Sequence, residues 1–329
     1  MFSDKMKYLK LILCFLTALL FLSSFIVFGD MSSDFSSDTY EKRFTLIAPL
    51  QWVPVGQGIL DADAVFHTNT KLIGSDTLDP DQQAEEINAA VLSGVDGIIT
   101  SGTSTSENLC EAIQNASDHG IPVVLIDSDL PNSSRNVYIG SNNYQMGVLS
   151  AQSMIQETKK DLFVGIIISD LENPNQKQRI LGFLDEISQY DTIQVVEILE
   201  CHSNQLEILE KVPKLLTEFS QINALYLAEA FTSVVVGDII KDRYSSLDLT
   251  IVATDDTDTI RQHILDGTYL SSTAQSPYDE GYLSVQTLYQ MTGNQPVDEY
   301  IYTDIFSITQ ENLNHFPQLS YEEQLWHFY

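Results

Sequence analysis

The sequence predicts an α/β fold made of two doubly wound parallel-sheet lobes. From Phe44 onward, apolar runs of strand length alternate with amphipathic helical segments, a pattern typical of parallel sheets with helices on both faces. The alternation continues through two successive units. At 329 residues the chain is also longer than one ordinary domain. We therefore expect two lobes, each with its own core.

The elements of the first unit follow from their hydrophobic periodicity. A loop over 51–58 that contains Trp52 and Pro54 precedes a short helix ending near His67. A Pro/Asp start and Gly94 bound a further helix, and Glu107 to His119 predicts another. Strands are predicted at FTLIAPL, LIGSDTL, VDGIIT, VVLI and residues 136–140.

The second unit repeats this pattern. Strands are predicted at 162–169, 193–199, 224–228, LTIVAT and TYLSSTAQ. Helices are predicted at 173–190, 204–219, 277–291 and in the segments that end at Lys241 and Leu265. Each unit thus supplies enough strands for a sheet of its own.

Polar residues follow the strands at the middle of the chain. Asp127 and Asp129 come directly after the apolar run VVLI, and Ser141 follows the next strand. In an open parallel sheet, ligands bind outside the carboxyl ends of the strands. We expect a binding site at this edge.

The charge balance excludes one class of partner. The chain has 16 Lys and Arg against 46 Asp and Glu, a formal charge of -30, and such a field repels nucleic-acid phosphates and anionic lipid surfaces. Nucleic acid is therefore not expected as a partner.

Cysteine and histidine usage indicates neither a disulfide framework nor a metal or cofactor site. Cys110 and Cys201 are expected to be free thiols. The six histidines are scattered and lack the helical i, i+4 spacing of a helix-borne metal site. No cofactor is expected.

The N-terminus predicts a membrane segment. Lys5, Lys7 and Lys10 precede an uncharged apolar run from Leu11 to Phe28, which is typical of a signal peptide or a retained membrane anchor. The positive flank places the rest of the chain outside the cytoplasmic membrane, either anchored or secreted. Residues 1–30 form this segment, and the Ser/Asp-rich residues 31–43 form a tether.

Four segments, in order, resemble one known family. They are LIDSDL with YIGSNN, NQKQRILGF, IVATDD and TAQSPYDEG. These resemble the ribose-binding-protein branch of the periplasmic sugar-binding proteins, which share their fold with the ligand-binding part of LacI-type repressors. The likeness covers nearly all of residues 44–310.

The resemblance implies two lobes of the type I periplasmic-binding fold joined by a three-segment hinge. The crossings are then expected near Ser141, Gln275 and Gly293. This division gives a first lobe of 44–141 plus 276–292, a second lobe of 142–275 plus 293–308, and a C-terminal tail of 309–329.

The resemblance also implies site residues for a neutral sugar. Asp127 would accept from ring hydroxyls, Arg179 would donate, and Trp52 would stack on the sugar face. The remaining implied positions are a strand-end acid, a hinge amide and two cleft serines: Asp255, Gln275, Ser101 and Ser141. The chain departs from the family pattern at Ser128, where an arginine is common, and at Glu229, which could still accept from a hydroxyl or an amine.

Most of these residues have a structural alternative. Asp127 could cap a turn, Asp255 could be a helix N-cap, and Gln275 could serve the hinge alone. Arg179 could be a solvated helix residue, and Trp52 could be a buried anchor.

We expect a binding protein rather than an enzyme. It would close on a sugar-like ligand and present it to an ABC transporter permease or a sensor histidine kinase. The alternative is a NAD-type oxidoreductase or another α/β enzyme with a cleft active site, because Gly56-Gln57-Gly58 follows a strand. The third glycine of a dinucleotide fingerprint is missing, however.

Overall fold

The computed structural model describes residues 41–49, 52–74, 79–102, 106–157 and 160–316. The predicted N-terminal membrane segment and most of the C-terminal tail therefore lie outside the described residues. Within the described ranges, no helix combines the length and apolar character needed to cross a bilayer.

The predicted alternation of strands and helices is confirmed in both units. The first unit contains β1 (Lys42–Ile47), α1 (Val53–Phe66), β2 (Thr68–Ile73), α2 (Pro80–Leu92), β3 (Gly97–Thr100), α3 (Glu107–Asp118), β4 (Val123–Ile126) and β5 (Val137–Ser141). The second contains α4 (Asn143–Glu157), β6 (Leu162–Ile168), α5 (Pro174–Ile187), β7 (Ile193–Glu200), α6 (Gln205–Glu218), β8 (Ala224–Leu227), α7 (Ala230–Arg243), β9 (Thr250–Thr254), α8 (Asp258–Leu265) and β10 (Ser271–Ala274). The chain then continues with α9 (Pro277–Thr292), β11 (Tyr300–Thr303), β12 (Phe306–Thr309) and a 3-10 turn (Leu313–His315).

The strands form two sheets of six with equivalent strand orders. The first sheet runs β11-β5-β4-β3-β1-β2, and the second runs β12-β10-β9-β8-β6-β7. The described pairs are parallel except for β10 with β12, which is antiparallel. Strands β4 and β9 therefore occupy the same position in their respective sheets.

Both faces of each sheet carry a core, as parallel sheets require. In the first lobe, Ile98 and Leu125 pack beneath α2 and α3, while Phe44 and Ile99 pack on the opposite face beside α9. The second lobe has the same two-faced arrangement. Cys110 and Cys201 are free, as predicted.

A close helix crossing reinforces each lobe. An added Cβ at Gly281 of α9 would lie 2.0 Å from the carbonyl oxygen of Val55 in α1. In the second lobe, a Cβ at Gly182 of α5 would lie 2.0 Å from the carbonyl oxygen of Tyr144 in α4. The absence of a side chain at these glycines lets the helix backbones touch.

The chain passes between the sheets after β5, after β10 and after β11. The prediction of a crossing near Gly293, with 293–308 in the second lobe, is wrong for β11. Residues 300–303 pair in parallel with Tyr138–Ser141 of the first sheet. Only β12 joins the second sheet. The pairing of β11 depends on the free edge of β5 in the folded sheet. The local sequence does not encode that edge.

Two local boundaries also differ from the prediction. Helix α1 begins at Val53 rather than after a loop to Gly58, with Pro54 in its first turn, where proline loses no helical hydrogen bond. Strand β2 begins at Thr68 rather than at Leu72. The Asp63 carboxylate accepts from the backbone N–H of Thr70 at 2.8 Å and so fixes this early start.

Candidate functional site

A cavity of about 630 Å³ lies between the two lobes. Strand ends and helix starts of both lobes line it, including four of the predicted site residues and two that the sequence analysis missed. They are Trp52, Asp127, Asp255, Gln275, Tyr278 and Glu280. A volume in this range is typical of small-molecule sites.

Asp127 follows β4 in a left-handed backbone conformation with φ 60°. Its carbonyl accepts from the Tyr138 hydroxyl at 2.8 Å, and its Oδ2 accepts from the Ser128 hydroxyl at 3.1 Å. Burial raises the pKa of Asp127, while the nearby Arg179 and the Ser128 hydroxyl oppose that rise. The carboxylate therefore keeps acceptor capacity at the cavity wall.

Asp255 follows β9 and mirrors Asp127, with φ 75°. Burial raises its pKa to about 6, and the charge of Asp127 adds to this effect while Arg179 opposes it. The N-cap of α8 is Thr257, whose side chain accepts from the Ile260 N–H. The helix-cap alternative for Asp255 is therefore not what the structure shows.

Arg179 is buried on α5 rather than solvated. It lies behind the residues that line the cavity. Its guanidinium donates to Asn143 Oδ1 at 2.7 Å, to the Ala228 carbonyl at 3.1 Å and to Gln275 Oε1 at 3.5 Å. All three acceptors are amide or peptide oxygens. Arg179 therefore acts on the cavity carboxylates through its field.

Gln275 connects Arg179 to Asp255 at the second crossing. Its Oε1 accepts from Arg179, and its side chain hydrogen-bonds to Asp255, which opposes the rise in the pKa of that carboxyl. The Gln275 amide thus lies between Arg179 and Asp255 and hydrogen-bonds to both. Gln275 therefore lies at a crossing between the lobes and also lines the cavity.

Trp52 and Tyr278 contribute aromatic rings to the cavity wall. Trp52 directly precedes α1, is partly buried and packs against the first-lobe core. The Tyr278 hydroxyl donates to Asp61 Oδ2 at 2.7 Å, which raises the pKa of Tyr278 to about 12. Tyr278 was not predicted as a lining residue, because a tyrosine in a first helical turn carries no distinct signal.

Ser101, Ser141 and Glu229 are not among the residues that line the cavity. The two serines are buried, and their hydroxyl oxygens have no hydrogen-bond partner among the described residues. Glu229 caps α7, since its carboxylate accepts from the N–H groups of Phe231 and Thr232 at 2.8 Å each. The Glu229 carboxylate therefore uses these hydrogen bonds to stabilise the start of that helix.

Glu280 is the second lining residue that the sequence analysis missed. It lies in the first turn of α9, is 2% exposed, and accepts from the backbone N–H of Asp127. Its Oε1 has no hydrogen-bond partner among the described residues. Burial raises its pKa well above the usual range, and the charges of Asp127 and Asp255 add to this effect. An acid in a first helical turn normally indicates helix stabilisation, so no distinct signal in the sequence marks Glu280 as a lining residue.

Asn175 joins the lobes directly at the site. Its Nδ2 on α5 donates across the cleft to the Asp127 carbonyl at 2.9 Å and to Ser128 Oγ at 2.8 Å. The two lobes are therefore closed against each other at this edge.

The far end of the cavity is formed by an ion pair and two aromatic rings. Arg261 donates to both carboxylate oxygens of Asp256, at 2.5 and 2.6 Å, and to the Phe316 carbonyl at 3.2 Å. Phe306 and Phe316 lie 5.1 Å apart, ring centre to ring centre. Among the described residues, no cluster of His, Cys, Asp or Glu is arranged to hold a metal ion.

Comparison with known proteins agrees with this architecture. Residues 48–296 match the periplasmic binding protein domain. The xylose/arabinose-binding protein XylF of Sulfolobus acidocaldarius is 26% identical over 264 residues, which is 72% of this chain and 62% of that protein. The D-apiose import binding protein of Actinobacillus succinogenes is 26% identical over 74% of this chain and 79% of that protein.

The fold is also that of solved sugar-binding structures. A glucose-galactose binding protein from Geobacillus stearothermophilus superposes with a TM-score of 0.78 at 27% identity, covering 83% of this chain and 99% of that one. This chain spans less than two thirds of the length of the Sulfolobus relative. The domain match, in contrast, covers most of the sequence, from the residue after β1 to a few residues past α9. The chain therefore belongs to the periplasmic binding protein domain family.

Proposed function

We propose that this chain binds a sugar-like ligand between its two lobes, outside the cytoplasmic membrane. The observation that carries the proposal is the cavity between the lobes, where Asp127 and Asp255 end equivalent strands of the two sheets. A sugar hydroxyl both donates and accepts, so carboxylates and amides on opposite walls can each bind it. Similarity to sugar-binding relatives supports this reading.

The two lobes contribute different side chains to the proposed ligand contacts. Asp127 and Trp52 come from the first lobe, Asp255 comes from the second, and Gln275 lies at a crossing between them. Carboxylates would accept from hydroxyls, while the indole would cover the apolar C–H face of the ring. Only a closed form lets both walls contact one ligand, so binding shifts the lobes toward closure.

Ser101, Ser141 and Glu229 have a different part in this proposal. The two serines lie at strand ends and are not among the lining residues, and Glu229 fixes the start of α7. Arg179 positions Gln275 and holds positive charge near the two aspartates. These residues would affect binding through the lining residues rather than by contact.

The Gly56-Gln57-Gly58 motif, on which the oxidoreductase alternative depends, does not form a phosphate-binding turn. Gly56 and Gly58 lie inside α1 rather than in a loop after a strand. A Cβ at Gly58 would lie 2.0 Å from the Tyr278 carbonyl oxygen, so this glycine serves helix packing. A phosphate-binding turn requires glycines at the start of a helix, with free N–H groups.

We further propose that the N-terminal apolar run anchors the protein and that the closed form is read by a membrane partner. The partner is an ABC transporter permease or a sensor histidine kinase. The uncharged stretch from Leu11 to Phe28 and its lysine flank support this proposal. Uptake of a radiolabelled ligand, compared with and without the gene, separates a transport role from a sensing role.

A thermal-shift screen tests the binding function. The full chain is heated with pentoses, hexoses, amino sugars and nicotinamide cofactors, one at a time. A ligand that binds only the folded state raises its stability, by about 2.7 kcal/mol at a hundred times Kd, so we expect at least one sugar to raise the melting temperature. If nicotinamide cofactors raise it and no sugar does, the enzyme alternative replaces this proposal.

A further inference from the structure

The cavity brings three carboxyl groups close to one arginine, Arg179. Asp127, Asp255 and Glu280 all line it, and their charges act on one another strongly enough to affect their titration. Arg179 is the cation that opposes all three. Like charges in a partly desolvated site repel, and the repulsion is stronger there than in water.

Other charged groups at the cavity do not offset these carboxyl groups. Arg261 lies in a two-bond ion pair with Asp256, so that pair is neutral. Glu229 accepts hydrogen bonds at the start of α7, and its charge raises the pKa of Asp255. Asp258, in the first turn of α8, is one more lining acid.

The Arg179 guanidinium donates its described hydrogen bonds to acceptors other than the three carboxyl groups. Its donors are directed at Asn143, Ala228 and Gln275. Glu280, although buried, has one oxygen with no hydrogen-bond partner among the described residues. A buried acceptor without a partner costs stability until a donor reaches it. Among the described residues, neither a cation nor a hydrogen-bond donor is therefore directed at this oxygen.

We propose that the ligand of this cleft is a sugar that carries an ammonium group, and that Glu280 is the residue that sets this preference. The inference rests on the proposed sugar-binding function and specifies its ligand class. An ammonium group brings one positive charge and three N–H donors. It therefore supplies both a cation and hydrogen-bond donors for this Glu280 oxygen.

Calorimetric titration of the full chain at neutral pH tests the proposal. Glucosamine, galactosamine and mannosamine are each compared with the parent hexose and with the N-acetyl derivative, which keeps the bulk but not the charge. We expect at least one amine to bind at least about tenfold more tightly than both of its neutral counterparts, since close charge pairs at binding sites contribute about 1.5 kcal/mol or more.

The Glu280→Gln variant assigns the preference to this residue. It keeps the shape of the side chain but cannot ionise to pair with an ammonium group, so we expect the preference for the amine over its parent hexose to fall about tenfold. Glu218→Gln is the matched control. This residue is exposed near Lys214 on α6, so the same substitution there lies away from the cavity and should leave the preference for the amine unchanged.

The outcomes separate the two proposals. If a neutral hexose binds as tightly as its amine to the wild-type chain, the ammonium inference is wrong while the sugar-binding function stands. If no neutral or amino sugar binds, both are wrong. The wild-type comparison needs no variant, so it decides the question even where Glu280→Gln fails to fold.

Discussion

At the scale of the residue, the site depends on two aspartates held in the left-handed backbone region. Asp127 has φ 60° and Asp255 has φ 75°, and both follow the same strand position of their respective sheets. Asp and Asn enter this region more readily than most other residues. Such strain is common where a side chain must be aimed at a ligand, and here it directs one carboxylate from each lobe.

The pKa of Asp255 predicts a dependence of stability on pH. Its folded pKa of about 6 lies above the value of an unfolded aspartate, so the folded state holds the proton more tightly. The resulting stability is complete below about pH 4 and is lost as the pH rises through about 6. Without ligand, the wild-type chain should lose up to about 3 kcal/mol relative to Asp255→Asn between pH 4 and 7.

Thermal unfolding of the two proteins in parallel measures this difference. Asparagine tolerates the same backbone conformation, and the comparison cancels groups that titrate equally in both proteins. A constant gap between the two stability curves across this range would contradict the assignment.

The residues that line the cavity show how far the sequence could predict the site. Asp127, Asp255, Gln275 and Trp52 line the cavity, and all four were expected from a family resemblance at strand ends and loops. Glu280 was not, because an acid in a first helical turn has an ordinary explanation. Only the tertiary placement of α9 beside β4 makes it a cavity residue.

At the scale of the element, two helix pairs depend on glycine for close approach. The α1–α9 pair meets at Gly58 and Gly281, and the α4–α5 pair meets at Gly147 and Gly182. Since α9 carries Glu280 and α5 carries Arg179, each crossing also positions an ionisable residue at or near the cavity. The placement of these two residues thus depends on close backbone contacts between helices.

Gly281→Ala should destabilise the protein. The new methyl group would lie 2.0 Å from the Val55 carbonyl oxygen, so the helices must separate, at a cost of about 1–3 kcal/mol or more. Gly293→Ala is the control, because its nearest contacts lie at 3.4 Å. Denaturant unfolding of both variants gives the comparison, and equal stabilities would show that the crossing is looser than described.

The order of the strands and helices could be predicted from the sequence. Some of their boundaries and some of the strand pairings could not. Strand and helix alternate because each type has its own hydrophobic period, and that period is a local property. The start of β2 depends on Asp63, and the sheet to which β11 belongs depends on an open edge beside β5. These features arise only after the chain has folded.

At the scale of the whole molecule, a side-chain amide joins the two lobes at the site. Asn175 of the second lobe donates to Asp127 and Ser128 of the first. A contact made only in the closed form stabilises that form, and so it also contributes to ligand affinity.

Asn175→Ala should weaken ligand binding and open the ligand-free protein. Loss of these hydrogen bonds, about 1 kcal/mol each, should lower affinity about fivefold to thirtyfold and increase the radius of gyration in small-angle X-ray scattering. Asn108→Ala is the control, because Asn108 bonds to Asp81 within the first lobe at 2.8 Å. Unchanged affinity and radius in Asn175→Ala would show that the amide does not hold the lobes together.

The short link between β11 and β12 has a further consequence. Two residues, Asp304 and Ile305, separate a strand that completes one sheet from a strand that completes the other. During synthesis, neither half can gain its last strand until the ribosome has delivered the final part of the described chain. The two halves therefore finish assembly almost together, and a premature stop codon anywhere before this link would leave both with an open edge.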